Sequence, residues 1–432
     1  MTLFTATHVL TALTIVLACV PVAADELRRY VTADDPAYRW EHIAQMSPQE
    51  GIVVHELRLI SQVWQGVTWQ HRLRIITPEA SKDASSLALL LVTGMGTAEQ
   101  EWRDAVFMAR GLTTPVALLS DVPNQPLFGE LVEDDLLAHT FVKFLTTQDA
   151  TWPLLLPMVK SVVRAMDAIQ DFLQRQRPMP IAGFVVSGAS KRGWTAWLTP
   201  VVDTRVKAIA PWVYDNLNLA QQLRHQRETW GHFSGQIAEY TERGLPQRLL
   251  AGEPGAVALA AIVDPFSYRH HLTVPKLIIL ATNDRYWPLD ALNLYYDALP
   301  GERYVLYVAN TGHTLQPGRE RAIAGLMALF QHAAGRRQLP TLQWDAKVEG
   351  DTLSLTLTAD RPPRSVQAWV ATARTRDFRD ARWEAFAMQT EHHRYVHRRP
   401  MRRGHITAIF GEAEYSANPG PFFLSTTVRL FP

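Results

Sequence analysis

Cysteine is almost absent from this sequence: of 432 residues one is a cysteine, Cys19, close to the N-terminus. The chain beyond it therefore carries no disulfide, no thiol nucleophile and no cysteine-held metal. A dominant charge is absent as well. Lys and Arg total 43 against 42 for Asp and Glu, so no global field draws in nucleic acid. Past the N-terminal segment no uninterrupted apolar stretch is long enough to span a bilayer, and there are no repeats or low-complexity tracts. No phosphate loop of the Walker type occurs, and Gly94-Met95-Gly96 is too short for a dinucleotide fingerprint. His225, His232, His270 and His271 do not fall into metal-ligand spacing. No cofactor, metal or nucleic-acid partner is expected.

What is present has the balance of a globular protein, with 47% hydrophobic and 20% charged residues, and the length predicts two or three domains. At the front, Val9 to Val20 is one apolar run followed by Val22-Ala23-Ala24. Such a run ending in small residues predicts a signal peptide over 1–24, cleaved before Asp25. The alternative is the lipoprotein-like box Val16-Leu17-Ala18-Cys19, with anchoring at Cys19. Both place the protein outside the cytoplasm, periplasmic or secreted, with no transmembrane span.

Ile52 to Trp64 and Val67 to Ile76 alternate in part and predict an antiparallel hairpin. Leu87–Val92, Val116–Leu119, Ile181–Val186, Val206–Val213, Lys276–Ala281 and Tyr304–Val308 are continuously apolar, as strands buried on both faces must be. Helical spacing predicts helices over Leu154–Gln174, Lys191–Pro200, Asp290–Leu299 and Ala322–Arg336. This alternation is an α/β pattern, a mostly parallel sheet with helices on both faces spanning 25–336. The polar stretch at about 215–265 interrupts it and reads as a helical cap insertion. Over 339–432 short alternating strands predict a C-terminal β-sandwich. The basic run from His392 to Arg403 is a solvated hairpin face or, less plainly, an anionic-surface contact such as the bacterial envelope.

The chemistry centres on Ser190. It stands between a buried strand and a helix within Gly188-Ala189-Ser190-Lys191-Arg192-Gly193, the setting of a nucleophile elbow, with its second glycine one place late. An acid and then a histidine must follow in chain order. Asp284 follows the strand Lys276–Leu280 and His313 follows the strand Tyr304–Val308, so both reach the sheet edge where Ser190 sits. His313 would act as the base, and Asp284 would orient it. The oxyanion donors expected are the amide of Lys191, at the helix start, and that of Met95, with Gly96 next. Asp215, after the strand Val206–Val213, is the competing acid or a pocket residue. Gly96 and Trp287 are further pocket candidates. Glu228, Glu239 and Glu242 are available should a peptide's amine need a partner.

With these residues in hand, the sequence resembles the PhoPQ-activated pathogenicity-related proteins. The resemblance runs through Tyr30 to Trp40, Ser61-Gln62-Val63-Trp64, Val122-Pro123-Asn124-Gln125-Pro126, Trp152 to Met158, Arg164 to Asp167, Gly188 to Thr195 and Val206 to Pro211. It implies an exported α/β-hydrolase fold with Ser190, Asp284 and His313 at the triad positions, and a link to virulence and antimicrobial-peptide resistance. Asn283-Asp284-Arg285-Tyr286-Trp287 departs from the acidic residue and paired aromatics expected after the aspartate, which bears on pocket shape. A looser resemblance to secreted dipeptidyl-peptidase-like proteins implies peptide cleavage. The expectation is a serine hydrolase acting on a small-molecule or peptide ester or amide. The alternative is a non-catalytic protein on the same fold that binds a peptide or envelope component.

Overall fold

The continuously apolar segments lie side by side in the middle of one large sheet. The computed structural model describes residues 20–79, 85–96, 98–176 and 180–432. Cys19 and most of the apolar leader, and with them the signal-peptide and lipoprotein readings, fall outside those residues. The described chain opens with helix α1 (Val20–Thr32) and strands β1 (Arg39–Gln49), β2 (Ile52–Trp64) and β3 (Val67–Pro78). β2 and β3 form the expected hairpin. β1 adds to it, antiparallel, from a stretch whose polar composition does not announce a strand. β4 (Leu87–Val92), α2 (Glu99–Leu112), β5 (Val116–Leu119), α3 (Glu133–Thr147), α4 (Leu155–Gln176), β6 (Gly183–Ala189), α5 (Lys191–Val202) and β7 (Val206–Trp212) follow. The cap helices α6 (Leu219–Trp230), α7 (Ala238–Thr241), α8 (Leu245–Leu250) and α9 (Pro254–Val263) come next, then β8 (Lys276–Ala281), β9 (Arg303–Val308) and α10 (Arg319–Ala333).

The sheet runs β1-β2-β3-β5-β4-β6-β7-β8-β9, parallel from β5 to β9. Its parallel strands are apolar on both faces because helices cover both. α4 and α5 lie over one face, with Met158, Val162, Ile169, Trp197 and Leu198 in the core. α2 and α10 lie over the other, with Met108, Leu326 and Phe330 buried there.

The C-terminal region consists of β10 (Leu342–Glu349), β11 (Thr352–Ala359), β12 (Ser365–Ala373), β13 (Glu384–Ala387), β14 (Gln389–Glu391), β15 (Arg394–Pro400), β16 (Ile406–Tyr415), β17 (Phe422–Ser425) and β18 (Arg429–Phe431). Four of these strands make a separate sheet, β10-β11-β15-β14. The rest continue the central sheet: β17 pairs with β9 at Ser425 and Val305, and β16, β12 and β13 extend outward. β9 would otherwise present an unpaired edge. Leu353, Leu355 and Leu357 on the small sheet pack with Val366, Ala368, Val370 and Ile409 on the large one. The basic run forms β15, and His392 and His393 make the turn before it, both with positive φ.

One predicted helix is corrected. Asp290–Leu299 forms two short 3-10 turns, Ala291–Leu294 and Tyr296–Ala298. Its groups are held from outside: the Asn293 side chain donates to the Val428 carbonyl at 2.9 Å, and the Asp290 carboxylate accepts from His225 at 2.7 Å and Arg376 at 2.6 Å. These tertiary ties override helical spacing.

Ser61 and Gln62 belong to a buried polar knot. Ser61 Oγ bonds His71 Nε2 at 2.9 Å, Gln62 Nε2 donates to the Pro157 carbonyl at 2.8 Å, and the Tyr30 hydroxyl donates to Gln62 Oε1 at 2.8 Å. Burial pushes His71 down to about 4, and its bond to the Asp121 carbonyl offsets this only in part. The unfolded chain takes up the proton near 6.5, so this contribution is whole above that pH and is lost as pH falls toward 4. The expected loss is about 3 kcal/mol, read as a lower urea midpoint at pH 4.5 than at pH 7. Among the described residues no helix is long and apolar enough to cross a membrane.

Candidate active site

Ser190 sits between β6 and α5 with φ 55° and ψ −122°, a backbone state that costs energy in any residue but glycine. The surroundings force this turn. Its amide donates to the Trp212 carbonyl at 2.9 Å. A Cβ on Gly188 would lie 2.7 Å from the Arg192 carbonyl oxygen, and one on Gly193 would lie 3.0 Å from that of Trp212. Glycine at both places lets α5 turn back tightly and pack against the sheet. Ser190 is half-buried, and the Lys191 amide stands in the first turn of α5, where N–H groups have no partner within the helix.

Asp284 and His313 come together. His313 Nδ1 lies 2.8 Å from Asp284 Oδ2, and Asp284 Oδ1 accepts from the Tyr286 amide at 2.9 Å. Facing an ionised carboxylate, Nδ1 carries the ring proton, which leaves Nε2 with its lone pair. Nε2 is buried and has no hydrogen-bond partner among the described residues. The Tyr286 ring lies over the imidazole, centroids 4.2 Å apart. Tyr286 lines the same chamber as Ser190.

The loops carrying this pair are tied to each other and to the C-terminal region. Asn283 donates through its amide N–H to the Thr311 carbonyl, and the Asn310 amide donates to Thr282 Oγ1 at 2.9 Å. Asn283 Nδ2 donates to the Ala381 carbonyl at 2.7 Å. Asn310 is bonded twice to the Trp383 backbone, Nδ2 to its carbonyl at 3.0 Å and Oδ1 from its amide at 2.8 Å. Arg285 pairs with Asp380. The segment 378–383 between β12 and β13 thus fixes where Asp284 and His313 stand. Asn310→Ala removes both bonds to the Trp383 backbone and is expected to lower the melting temperature by a few degrees, read by calorimetry.

The cap roofs a chamber of about 110 Å³ that opens on Ser190. Aromatic rings surround its Ser190 end: Trp194 stacks on Tyr214 at 5.0 Å, and Trp287 meets Tyr214 edge-on at 5.8 Å. The chamber's one carboxylate is Asp134, at the start of α3. It takes Lys191 Nζ at 2.8 Å and the Tyr240 hydroxyl at 2.9 Å. Beside it Glu133 holds Arg192 at 2.7 Å and Lys191 at 3.1 Å. Burial pushes the Glu133 carboxyl up, but these two cations outweigh it and hold it at about 2. On the other side of Ser190 runs a second cleft, where Arg192 and Arg319 stand with Glu101 and Asp104.

The remaining candidates fall as follows. Trp287 lines the chamber. Asp215 does not. It is buried behind the chamber wall and accepts from the Tyr295 hydroxyl at 2.8 Å, and burial pushes its carboxyl up to about 8. The Gly96 amide is taken by Asp121 Oδ1 at 2.7 Å, so it is not free for an oxyanion. The Met95 side chain is exposed, and the turn residue lining the second cleft is Gly94. Glu228, Glu239 and Glu242 do not line the chamber; Asp134 does. Only the acidic run Glu133-Asp134-Asp135 hinted at that residue.

Three comparisons bear on this arrangement. The family described as PhoPQ-activated pathogenicity-related protein matches residues 27–379. Autocrine proliferation repressor protein A of Dictyostelium discoideum is 30% identical over 380 residues, spanning 82% of this chain and 75% of its own. Among solved structures, an acetyl xylan esterase from Paenibacillus sp. R4 superposes with a TM-score of 0.53 at 16% identity, covering 73% of this chain and 96% of the esterase. At that identity the likeness is one of fold, the α/β-hydrolase fold.

Proposed function

The chain belongs to the PhoPQ-activated pathogenicity-related protein family, and from that premise we propose that it is an exported serine hydrolase acting on an ester or amide through Ser190, His313 and Asp284. The observation that carries this reading is the His313–Asp284 bond, which leaves a lone pair on Nε2 beside the chamber that holds the strained Ser190. In the first step Ser190 Oγ bonds to the substrate carbonyl carbon while His313 Nε2 takes its proton. The oxyanion accepts from the Lys191 amide and from a second amide in the turn after β4, Met95 being the candidate. The carbon–oxygen or carbon–nitrogen bond then breaks, and the leaving group departs with the proton from His313. Water attacks the acyl-serine by the same route and releases the acid. Asp284 holds the imidazole and stabilises its charged form.

The unit from 25 to 336 carries the chemistry, the insertion near 215–265 roofs it, and the strands from 339 onward brace it. The apolar leader supports export, and the family description supports a place in virulence; resistance to antimicrobial peptides is part of the same proposal. A second reading has one observation behind it. The Dictyostelium relative is described as a repressor of proliferation, which suits a protein that binds and signals on this fold. Hydrolysis of p-nitrophenyl acetate by the wild type and by Ser190→Ala separates the two. Turnover that depends on Ser190 supports the hydrolase; no turnover, or turnover indifferent to Ser190, supports binding.

A further inference from the structure

The chamber over Ser190 is mostly apolar. Trp194, Tyr214 and Trp287 give it an aromatic wall, and its ion pair is closed on itself, Asp134 taking Lys191 and the Tyr240 hydroxyl. It is also walled by aliphatic side chains of three cap helices, Leu219 and Leu223 from α6, Leu245 and Leu249 from α8, and Leu259 and Val263 from α9. None of these offers a hydrogen bond. The second cleft on the other side of Ser190 carries charge beside apolar wall, with Glu101, Asp104, Arg192 and Arg319 next to Leu91, Met108 and Trp212. An apolar chain gains more in the first than in the second, and a polar leaving group meets charged partners in the second.

Resting on the hydrolase reading, we infer that the substrate is an ester whose acyl part is an aliphatic chain seated in the cap chamber, with its polar alcohol toward the charged cleft. The cap is then the specificity element, and Ala260, half-buried, lines the chamber. The reaction is acyl transfer to Ser190 Oγ and then to water: the ester carbon–oxygen bond breaks, the alcohol leaves with one proton, and a fatty acid is released.

The test is kcat/KM over p-nitrophenyl acetate, butyrate, hexanoate and octanoate. Each methylene moved from water to the chamber is worth up to about fourfold, so the octanoate-to-acetate ratio is expected to exceed about tenfold. Ala260→Phe, which fills the chamber, lowers that ratio, and Leu219→Ala, which widens it, moves the preference to longer chains. A folding defect in one variant cannot produce opposite shifts in the two. A flat or falling series, or a ratio that neither variant moves, overturns the acyl-chamber inference and leaves the hydrolase reading standing. Absence of turnover with every ester, acetate included, overturns both.

Discussion

Ser190→Ala is expected to lower kcat/KM for the p-nitrophenyl esters by about 10⁴-fold or more, on the proposed hydrolase reading. The loss is large because the whole proposed reaction passes through one oxygen, which no other side chain of the site replaces. The fold is untouched by the change. Ser190 Oγ caps no helix, alanine keeps the Cβ, and the turn is held by neighbours: the Ser190 amide on the Trp212 carbonyl, and Arg192 on the Val122 carbonyl at 2.6 Å and on Glu133. The melting temperature is therefore expected to stay within about 2 °C of the wild type, as for substitutions that remove no buried contact. Substantial turnover by a folded alanine variant would remove Ser190 from the mechanism.

Asp284→Asn is expected to lower kcat/KM by about 10³- to 10⁴-fold. Both carboxylate oxygens of Asp284 are engaged, one by His313 Nδ1 and one by the Tyr286 amide. An asparagine whose oxygen keeps the backbone bond turns its NH₂ toward the ring. The imidazole must then place its lone pair on Nδ1 and its proton on Nε2, the wrong tautomer for a base. Asp215→Asn is the contrasting variant, with kcat/KM expected within about threefold of wild type, since Asp215 touches neither Ser190's chamber nor His313. Its effect falls on stability. The Asp215 carboxyl is held neutral up to about 8 by burial, with the nearby Asp284 charge adding to it, while the unfolded chain ionises near 3.9. Stability is thus drained as pH rises from 4 to 8. Asparagine cannot ionise and still accepts from Tyr295, so this variant melts higher than wild type at pH 8 and similarly at pH 4. The reverse pattern of activity, with Asp215→Asn the inactive variant, would move the catalytic acid to β7.

The parts of this site that can be read from sequence are those set by local chain geometry. A buried strand, a turn of small residues and a helix place Ser190, and consecutive parallel strands bring Asp284 and His313 to one edge. What escaped the sequence depends on distant pairings. Lys191 reaches Asp134 across a separation of 57 residues and Asn283 reaches Ala381 across 98, and neither partner advertises the other. The segment 290–299 has helical spacing, yet its side chains are claimed by the cap and the C-terminal strands. β1 forms from a polar stretch because β2 offers it an open edge, and β17 docks on β9 for the same reason. Asp215 stands at a strand's carboxyl end just as Asp284 does, and only burial and the Tyr295 bond set them apart.

The most direct measurement is labelling of the protein with a fluorophosphonate, followed by peptide mass spectrometry to locate the adduct. An oxygen activated by His313 attacks phosphorus as it would a carbonyl, so the account predicts one adduct, on Ser190, in the wild type and none in Ser190→Ala or His313→Ala. A folded wild-type protein that stays unlabelled, or an adduct on any other residue, would contradict it.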